Sequence, residues 1–328
     1  MERLTLTPAQ KESFARDGVL CLRNVLTAPE IAGLRRAVDA QLGAIGKSTT
    51  GYDFEALAAQ VWAARDQIEV GAANRFDMNA MGELVLADAQ ARPLQEPDDD
   101  RSGQFLYDVA AWKTSLEVRQ VAMDSALPEL IADLLDARYL NFWEDTTFVK
   151  TPGTRQKTAF HQDLAYFQIS GDQCVIVWIP LDPADKTNGT LEYVRGSHLW
   201  GETYAPNVFI SQTPLGKSPE KRCPDIEGNR ESYDIVSFDV EPGDVIVHHV
   251  RTIHGAGGNM SNRMRRAMSF RYCGDAVSYY DRPGAIPQVG VAKDLRDGEP
   301  LFSRDYPVVW PKPWPGLKLA ELYSAEPA

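Results

Sequence analysis

Residues 139–181 read YLNFWEDTTFVKTPGTRQKTAFHQDLAYFQISGDQCVIVWIPL. Three runs in this stretch (YLNFWEDTTFVK, TAFHQDLAYFQI and CVIVWIPL) are rich in β-branched and aromatic residues, and Gly, Pro and Asp punctuate the gaps. The pattern continues through TLEYVRG, DIVSFDV, DVIVHHV and RAMSFRYC, up to Cys273. Short strands at this spacing predict an all-β sandwich or barrel.

Outward from this stretch the character changes. Thr7-Pro-Ala-Gln10 and Thr27-Ala-Pro-Glu30 are capping boxes with Pro early in the helix. They predict a helix ending near Asp17-Gly18 and a second one carrying Ile31, Leu34, Val38 and Leu42 on one face. Val19–Leu22, between them, reads as a short strand. Residues 53–92 are Ala-rich and helical in pattern, residues 93–104 form a polar break, and 107–136 read as helical, with Pro128 opening the final helix. Residues 201–232 interrupt the β-rich half with a long polar segment, which predicts a lid, a binding loop or disorder. The Pro-rich tail PVVWPKPWPGLKL is expected to wrap over the surface without regular structure. The expected organisation is a single elaborated domain of 328 residues: a mostly helical part over 1–138, a β core over 139–280 and a wrap over 281–328.

Acidic residues outnumber basic ones by 46 to 34, a net charge of −12, which disfavours a phosphate-binding surface for nucleic acid and fits a soluble protein with a small-molecule partner. Four scattered cysteines without a CxxC motif point to a reducing compartment, so cytoplasmic localisation is expected. MERLTLTPAQKESFARDG lacks the apolar run of a signal peptide, and no stretch approaches 18 apolar residues, so no membrane partner is expected. A monomer or homodimer is expected.

All five histidines (His161, His198, His248, His249 and His254) lie in the β-rich half. On a strand, side chains alternate, so His161 and Asp163 would share one face and Gln162 the other. An imidazole and a carboxylate so placed can grip a metal ion. A third ligand is then expected from another strand, with His248, His249 and His254 as candidates. Two histidines and one carboxylate on one side of an ion form the facial triad of non-haem Fe(II) oxygenases, leaving positions for a cosubstrate and O2. His254 is followed eleven residues later by Arg265. A buried guanidinium there suits a dicarboxylate cosubstrate. Arg265, Ala267, Ser269 and Arg271 share one face of their strand; Arg266, Met268, Phe270 and Tyr272 share the other.

With these residues in place, the chain resembles the phytanoyl-CoA dioxygenase family of Fe(II)- and 2-oxoglutarate-dependent oxygenases. The resemblance is carried by DGVLCLRNVLTAPEIAGLRRAVD, FVKTPG with HQDLAYF, VWIPLDPADKTNGTLEYVRGSH, and PGDVIVHHVRTIHGAGGN with RRAMSFRY. It implies a mainly β fold, a double-stranded β-helix or jelly roll with helices packed outside. It implies that His161, Asp163 and His254 hold iron, that Arg265 binds the distal carboxylate of 2-oxoglutarate, and that Trp178 lines the cosubstrate pocket. Some members carry a serine where this chain has Ala256; Ser269 or Thr158 is the expected substitute for its hydroxyl. His198, His248 and His249 are expected to be structural, and Lys150 and Arg271 are alternatives between a surface or strand-end role and contact with substrate or cosubstrate. Tyr166, Phe167 and Trp143 are expected as apolar walls.

The implied activity is hydroxylation of an unactivated C–H bond in a small organic molecule, with release of succinate and CO2. Desaturation, epoxidation or ring formation by the same chemistry is the alternative. A cupin-like hydrolase or isomerase would give Arg265 no purpose, and a silent binding protein would not retain all three ligands. Asp163 argues against a halogenase, which has a small residue at that place.

Overall fold

The seven residues CVIVWIP are buried along their whole length, because both faces of their strand are covered. Val175, Val177 and Ile179 face the main core, packed with the helices; Cys174, Ile176 and Trp178 face the inside of the β structure. A strand covered on both sides reads as a continuous apolar run rather than an alternation. The computed structural model describes residues 5–43, 51–55, 103–212, 218–283, 285, 288, 291 and 294–312.

The strands in chain order are β1 (Val19–Leu22), β2 (Tyr52–Asp53), β3 (Phe105–Val109), β4 (Leu140–Lys150), β5 (Thr158–His161), β6 (Ile169–Ser170), β7 (Cys174–Pro180), β8 (Leu191–Val194), β9 (Ile235–Ser237), β10 (Val245–His249), β11 (His254–Ala256), β12 (Arg265–Gly274), β13 (Ser278–Tyr279) and β14 (Val308–Trp310). The large sheet runs β1-β10-β7-β12-β4-β3-β2, with β14 also paired to β4; the smaller one runs β5-β11-β8-β9. Their pairings are antiparallel. The inner faces meet where Trp178 and Ile246 of the large sheet pack with Tyr193 of the smaller one. This is the expected jelly roll.

Four α-helices, α1 (Pro8–Asp17), α2 (Ala28–Leu42), α3 (Leu116–Asp124) and α4 (Leu127–Leu135), cover the outer face of the large sheet. Both capping boxes form as the sequence predicts, Gly18 ends α1 at φ 73°, and Ile31, Leu34 and Val38 are buried under α2. Among the described residues no helix is long and apolar enough to cross a membrane.

Three expectations need correction. Residues 107–109 belong to a strand, not a helix; the FLYDV segment pairs with β4, and the Asp145 carboxylate accepts from the backbone N–H groups of Ala111 (3.0 Å) and Trp112 (2.8 Å) to turn the chain. The tail is not wholly irregular, since β14 adds to β4 between Pro307 and Pro311. The HQDLAYF run is not one strand: β5 stops at His161, and Asp163–Tyr166 is a 3-10 turn. The Ala-rich helical prediction lies outside the described residues beyond residue 55.

Candidate metal centre and cosubstrate pocket

The end of β5 and the start of β11 are register partners, which sets His161 directly opposite His254. Their rings lie 4.4 Å apart. Each Nδ1–H donates to a carbonyl two residues back in the chain: His161 to Ala159 at 2.7 Å, His254 to Thr252 at 3.0 Å. Both Nε2 atoms are thereby left to point inward, the arrangement that orients metal-binding imidazoles. The turn after β5 brings Asp163 back to them. Its Oδ1 lies 3.6 Å from His161 Nε2 and its Oδ2 lies 3.7 Å from His254 Nε2. One ligand atom from each of the three residues falls within 4.8 Å of the others, and all three residues are buried. The convergence predicted from the sequence is therefore present, but a tight turn produces it rather than a shared strand face.

His248 is a residue whose part sequence reasoning missed. Ile246 and His248 alternate inward, while Val245 and Val247 face the helices. His248 Nε2 donates to Asp163 Oδ2 at 3.1 Å, and the Tyr193 hydroxyl donates to its Nδ1 at 3.3 Å. This chain fixes the carboxylate. Strand alternation was the available signal. Burial acts to raise the Asp163 carboxyl, but His254, His161 and His248 hold it well below the usual carboxylate range. Burial pushes His254 well below the usual imidazole value, so its ring is a neutral donor of the kind a divalent ion takes, and burial likewise lowers His248. His249 turns away, lying against Phe14 and His198, with its pKa lowered to about 4 by burial. His198 Nε2 donates to the carbonyl of Ala15 at 3.1 Å, the structural role expected of it.

The inner face of β12 carries the cosubstrate candidates. Arg265 is only 2% exposed, and among the described residues its Nε has no partner and a terminal nitrogen makes a long 3.5 Å contact to the Phe148 carbonyl. Its guanidinium lies 6.0 Å from the ring centre of Trp178. Burial lowers its pKa to about 10, with Asp182 acting weakly the other way. An unpaired guanidinium in such a place is costly unless an anion completes it. Trp178 packs with Tyr193, whose ring stacks 5.8 Å from that of His254, so one aromatic layer connects the arginine to the histidines. Ser269 is the register partner of Trp178, and Thr158 that of Ala256; both are buried. Lys150 is not a surface residue. It is buried opposite Arg265 and donates to the Gly257 carbonyl at 2.7 Å.

The described part of 201–232 is tied to the site. Asn207 donates to the Phe160 carbonyl at 3.1 Å and accepts from the Tyr166 hydroxyl at 2.8 Å, and the Phe209 carbonyl accepts from the Ala159 N–H at 2.7 Å. Phe209, at φ 66°, sets its ring 5.2 Å from His161 and stacks on Phe148 at 5.7 Å. Tyr166 stands edge-on to His161 at 5.5 Å. Trp143 and Phe167 pack together 6.2 Å apart in the inner cluster.

A jelly roll with two inward imidazoles, one carboxylate and an unpaired buried arginine defines an oxygenase of the iron- and 2-oxoglutarate-dependent class. The sequence profile of phytanoyl-CoA dioxygenase (PhyH) matches residues 14–267, and the chain belongs to that family. Phytanoyl-CoA dioxygenase of Arabidopsis thaliana is 23% identical over 275 residues, covering 81% of this chain and 88% of that one. A probable phytanoyl-CoA dioxygenase of Caenorhabditis elegans is 26% identical over 136 residues, and that match spans 41% of this chain and only 42% of the nematode protein. Among solved structures, the non-haem α-ketoglutarate-dependent carbocyclase SnoK from nogalamycin biosynthesis superposes with a TM-score of 0.61 at 21% identity, covering 93% of this chain and 97% of SnoK. The epimerase SnoN, solved with Fe3+, α-ketoglutarate and nogalamycin RO, gives a TM-score of 0.60 at 20% identity, covering 92% of this chain and 98% of SnoN. Iron and 2-oxoglutarate are the cofactor and cosubstrate of this class, and the His161, Asp163 and His254 group can hold the metal.

Proposed function

We propose that this protein hydroxylates an unactivated C–H bond of a small organic molecule, using Fe(II), 2-oxoglutarate and O2. The observation that carries this reading is the pairing of the inward His161, Asp163 and His254 group with an Arg265 whose buried Nε has no partner. His161, Asp163 and His254 would hold Fe(II). Bound there, the metal with 2-oxoglutarate and O2 supplies the oxidising power, coupling decarboxylation to succinate and CO2 to oxygen insertion into the substrate.

The protein's own residues do the rest. The backbone carbonyls of Ala159 and Thr252 keep each Nδ1 protonated, so that Nε2 binds metal. His248 holds one oxygen of Asp163, which biases the carboxylate toward binding through the other. Arg265 clamps the distal carboxylate of the cosubstrate, and Trp178 gives its carbon chain an apolar wall. Phe209 and Tyr166 flank His161 and keep water from the reacting carbon. In this reading 201–232 acts as a substrate-side lid, with Phe209 as its contact.

Anaerobic addition of Fe(II) and 2-oxoglutarate should give the weak visible charge-transfer band of bidentate chelation. His161→Ala and His254→Ala should lose both the iron and the band, and His249→Ala should keep them. Full iron occupancy in both triad variants would overturn the assignment. Once a substrate is found, product mass and NMR decide the outcome: gain of one oxygen atom is hydroxylation or, at a C=C bond, epoxidation, which NMR tells apart, and loss of two hydrogens is desaturation or ring closure.

A further inference from the structure

β12 carries a second arginine on its inner face. Arg271 is 7% exposed, and its Nε, like that of Arg265, is buried without a partner. One terminal nitrogen donates to the Thr146 hydroxyl at 2.6 Å, and the guanidinium lies 5.2 Å from the centre of the Phe167 ring. The facing carboxylate, Glu144, is its register partner on β4 and feels its charge, but among the described residues the two make no direct ion pair. The Asp145 carboxylate is occupied by the backbone of Ala111 and Trp112.

The register places this arginine relative to the metal centre. Arg271 pairs with Ile176, and Ile176 pairs with His248, whose Nε2 donates to Asp163. Two strand spacings separate Arg271 from His248, roughly 10 Å between backbones. Arg265 lies six residues away along the strand, about 20 Å at 3.4 Å per residue. The two side chains also have separate surroundings, Trp178 for Arg265 and Phe167 with Thr146 for Arg271. One five-carbon dicarboxylate, anchored at Arg265, leaves the Arg271 Nε without a partner among the described residues.

Along the same inner surface Tyr107, Glu144, Phe148, Tyr166 and Phe209 keep partial exposure. Phe148 and Phe209 stack, Tyr107 meets both, and Tyr166 and Phe209 touch the His161 ring. Four of these residues are aromatic, and the far end carries Arg271 with Glu144 opposite it. We propose that Arg271 anchors a carboxylate on the substrate, so that the substrate class is an apolar-bodied organic acid whose body spans from Arg271 toward His161. This rests on the oxygenase reading above and names the substrate chemistry of the same site. A planar guanidinium with a free edge grips a carboxylate through paired hydrogen bonds, which a neutral amide cannot match.

The test uses wild-type protein loaded anaerobically with Fe(II) and 2-oxoglutarate, titrated by calorimetry. The probes are matched acid and amide pairs: benzoate and benzamide, 3-phenylpropionate and 3-phenylpropanamide, octanoate and octanamide. At least one acid should bind about tenfold or more tightly than its amide, a difference of about 1.4 kcal/mol. Arg271→Gln should reduce that acid to the level of the amide, and Arg271→Lys should keep part of the preference. Both variants should retain wild-type affinity for iron and 2-oxoglutarate. If Arg271→Gln fails to fold, the wild-type contrast and the lysine variant decide. The proposal falls if no acid is preferred, if the preference survives loss of the guanidinium, or if Arg271→Gln weakens 2-oxoglutarate binding, which would make Arg271 a cosubstrate ligand. Failure of the wild type to bind Fe(II) and 2-oxoglutarate, seen before any acid is added, would instead remove the oxygenase reading and this proposal with it.

Discussion

Strand β12 has an outer face and an inner face, and its arginines show how differently one residue type is used on the two. Arg266, on the outer face, is saturated: its Nε and one terminal nitrogen donate to Asp182 at 2.9 and 2.8 Å, and the other donates to Asp39 of α2 at 2.7 Å. Arg265 and Arg271, on the inner face, are more deeply buried, yet each keeps an Nε without a partner. Folded proteins pair nearly all their buried polar atoms. Two exceptions on one strand face, pointing to the same interior as the histidines, are better explained by ligands than by folding. The outer arginine joins sheet to helix; the inner ones are set for anions.

The largest effect expected from this contrast is at Arg265. Truncating one partner of a buried charge pair costs about 2–5 kcal/mol, at about 1.4 kcal/mol per tenfold. Arg265→Ala should therefore raise the 2-oxoglutarate dissociation constant by roughly 30-fold or more while Fe(II) still binds. Removing an unpaired buried cation should not lower the melting temperature of the ligand-free protein. Unchanged cosubstrate affinity, or a melting temperature well below wild type, would erase the distinction between the faces.

A smaller effect is expected at His248, which reaches the centre only through Asp163. Residues that orient a metal ligand contribute about 10–100-fold to metal affinity. His248→Phe keeps an aromatic ring, slightly larger than imidazole, and removes both hydrogen bonds. Iron affinity should fall by about tenfold or more, still short of the complete loss expected for His161→Ala. Equal loss in the two variants would make His248 a ligand in its own right, and no loss would make it a packing residue.

Much of this was legible before the structure, for identifiable reasons. Capping boxes are local, and both formed where the sequence placed them. CVIVWIP and RRAMSFRY declared their strands through short runs of β-branched, apolar and aromatic residues bounded by turn residues, a signal that needs no tertiary context. The His254 to Arg265 spacing put the two on successive inner strands. Other features were hidden because they depend on what distant chain segments supply. β5 ends at His161 because the chain must turn there to bring Asp163 under both imidazoles, and alternation cannot foresee a 3-10 turn. FLYDV read as the start of a helix because its strand character comes from pairing with β4, some forty residues on. The burial of Lys150 and the approach of Phe209 to His161 likewise arise from loops folding over the barrel. The three candidate ligands do converge, but a turn after β5 brings Asp163 to the histidines rather than the shared strand face expected for it.

The smallest effect is expected at Arg266, and it tests the outer half of the contrast. Its guanidinium links the connection after β7, through Asp182, to α2, through Asp39, and its side chain is 18% exposed beside an Asp182 that is 13% exposed. Partial burial makes these bonds stronger than those of a solvated surface pair, which is worth about 0.2–1 kcal/mol, and closer to hydrogen bonds to charged groups at about 1.5–3 kcal/mol. Arg266→Ala should cost about 1–3 kcal/mol in denaturant unfolding, and at roughly 2–4 °C per kcal/mol the melting temperature should drop by several degrees. Arg35, whose terminal nitrogen lies 3.8 Å from Asp182, can recover part of the loss. Affinity for iron and 2-oxoglutarate should stay at the wild-type level, because the side chain points away from the barrel interior. A large loss of cosubstrate affinity in Arg266→Ala, with Arg265→Ala unaffected, would mean that the two faces of β12 have been assigned the wrong way round.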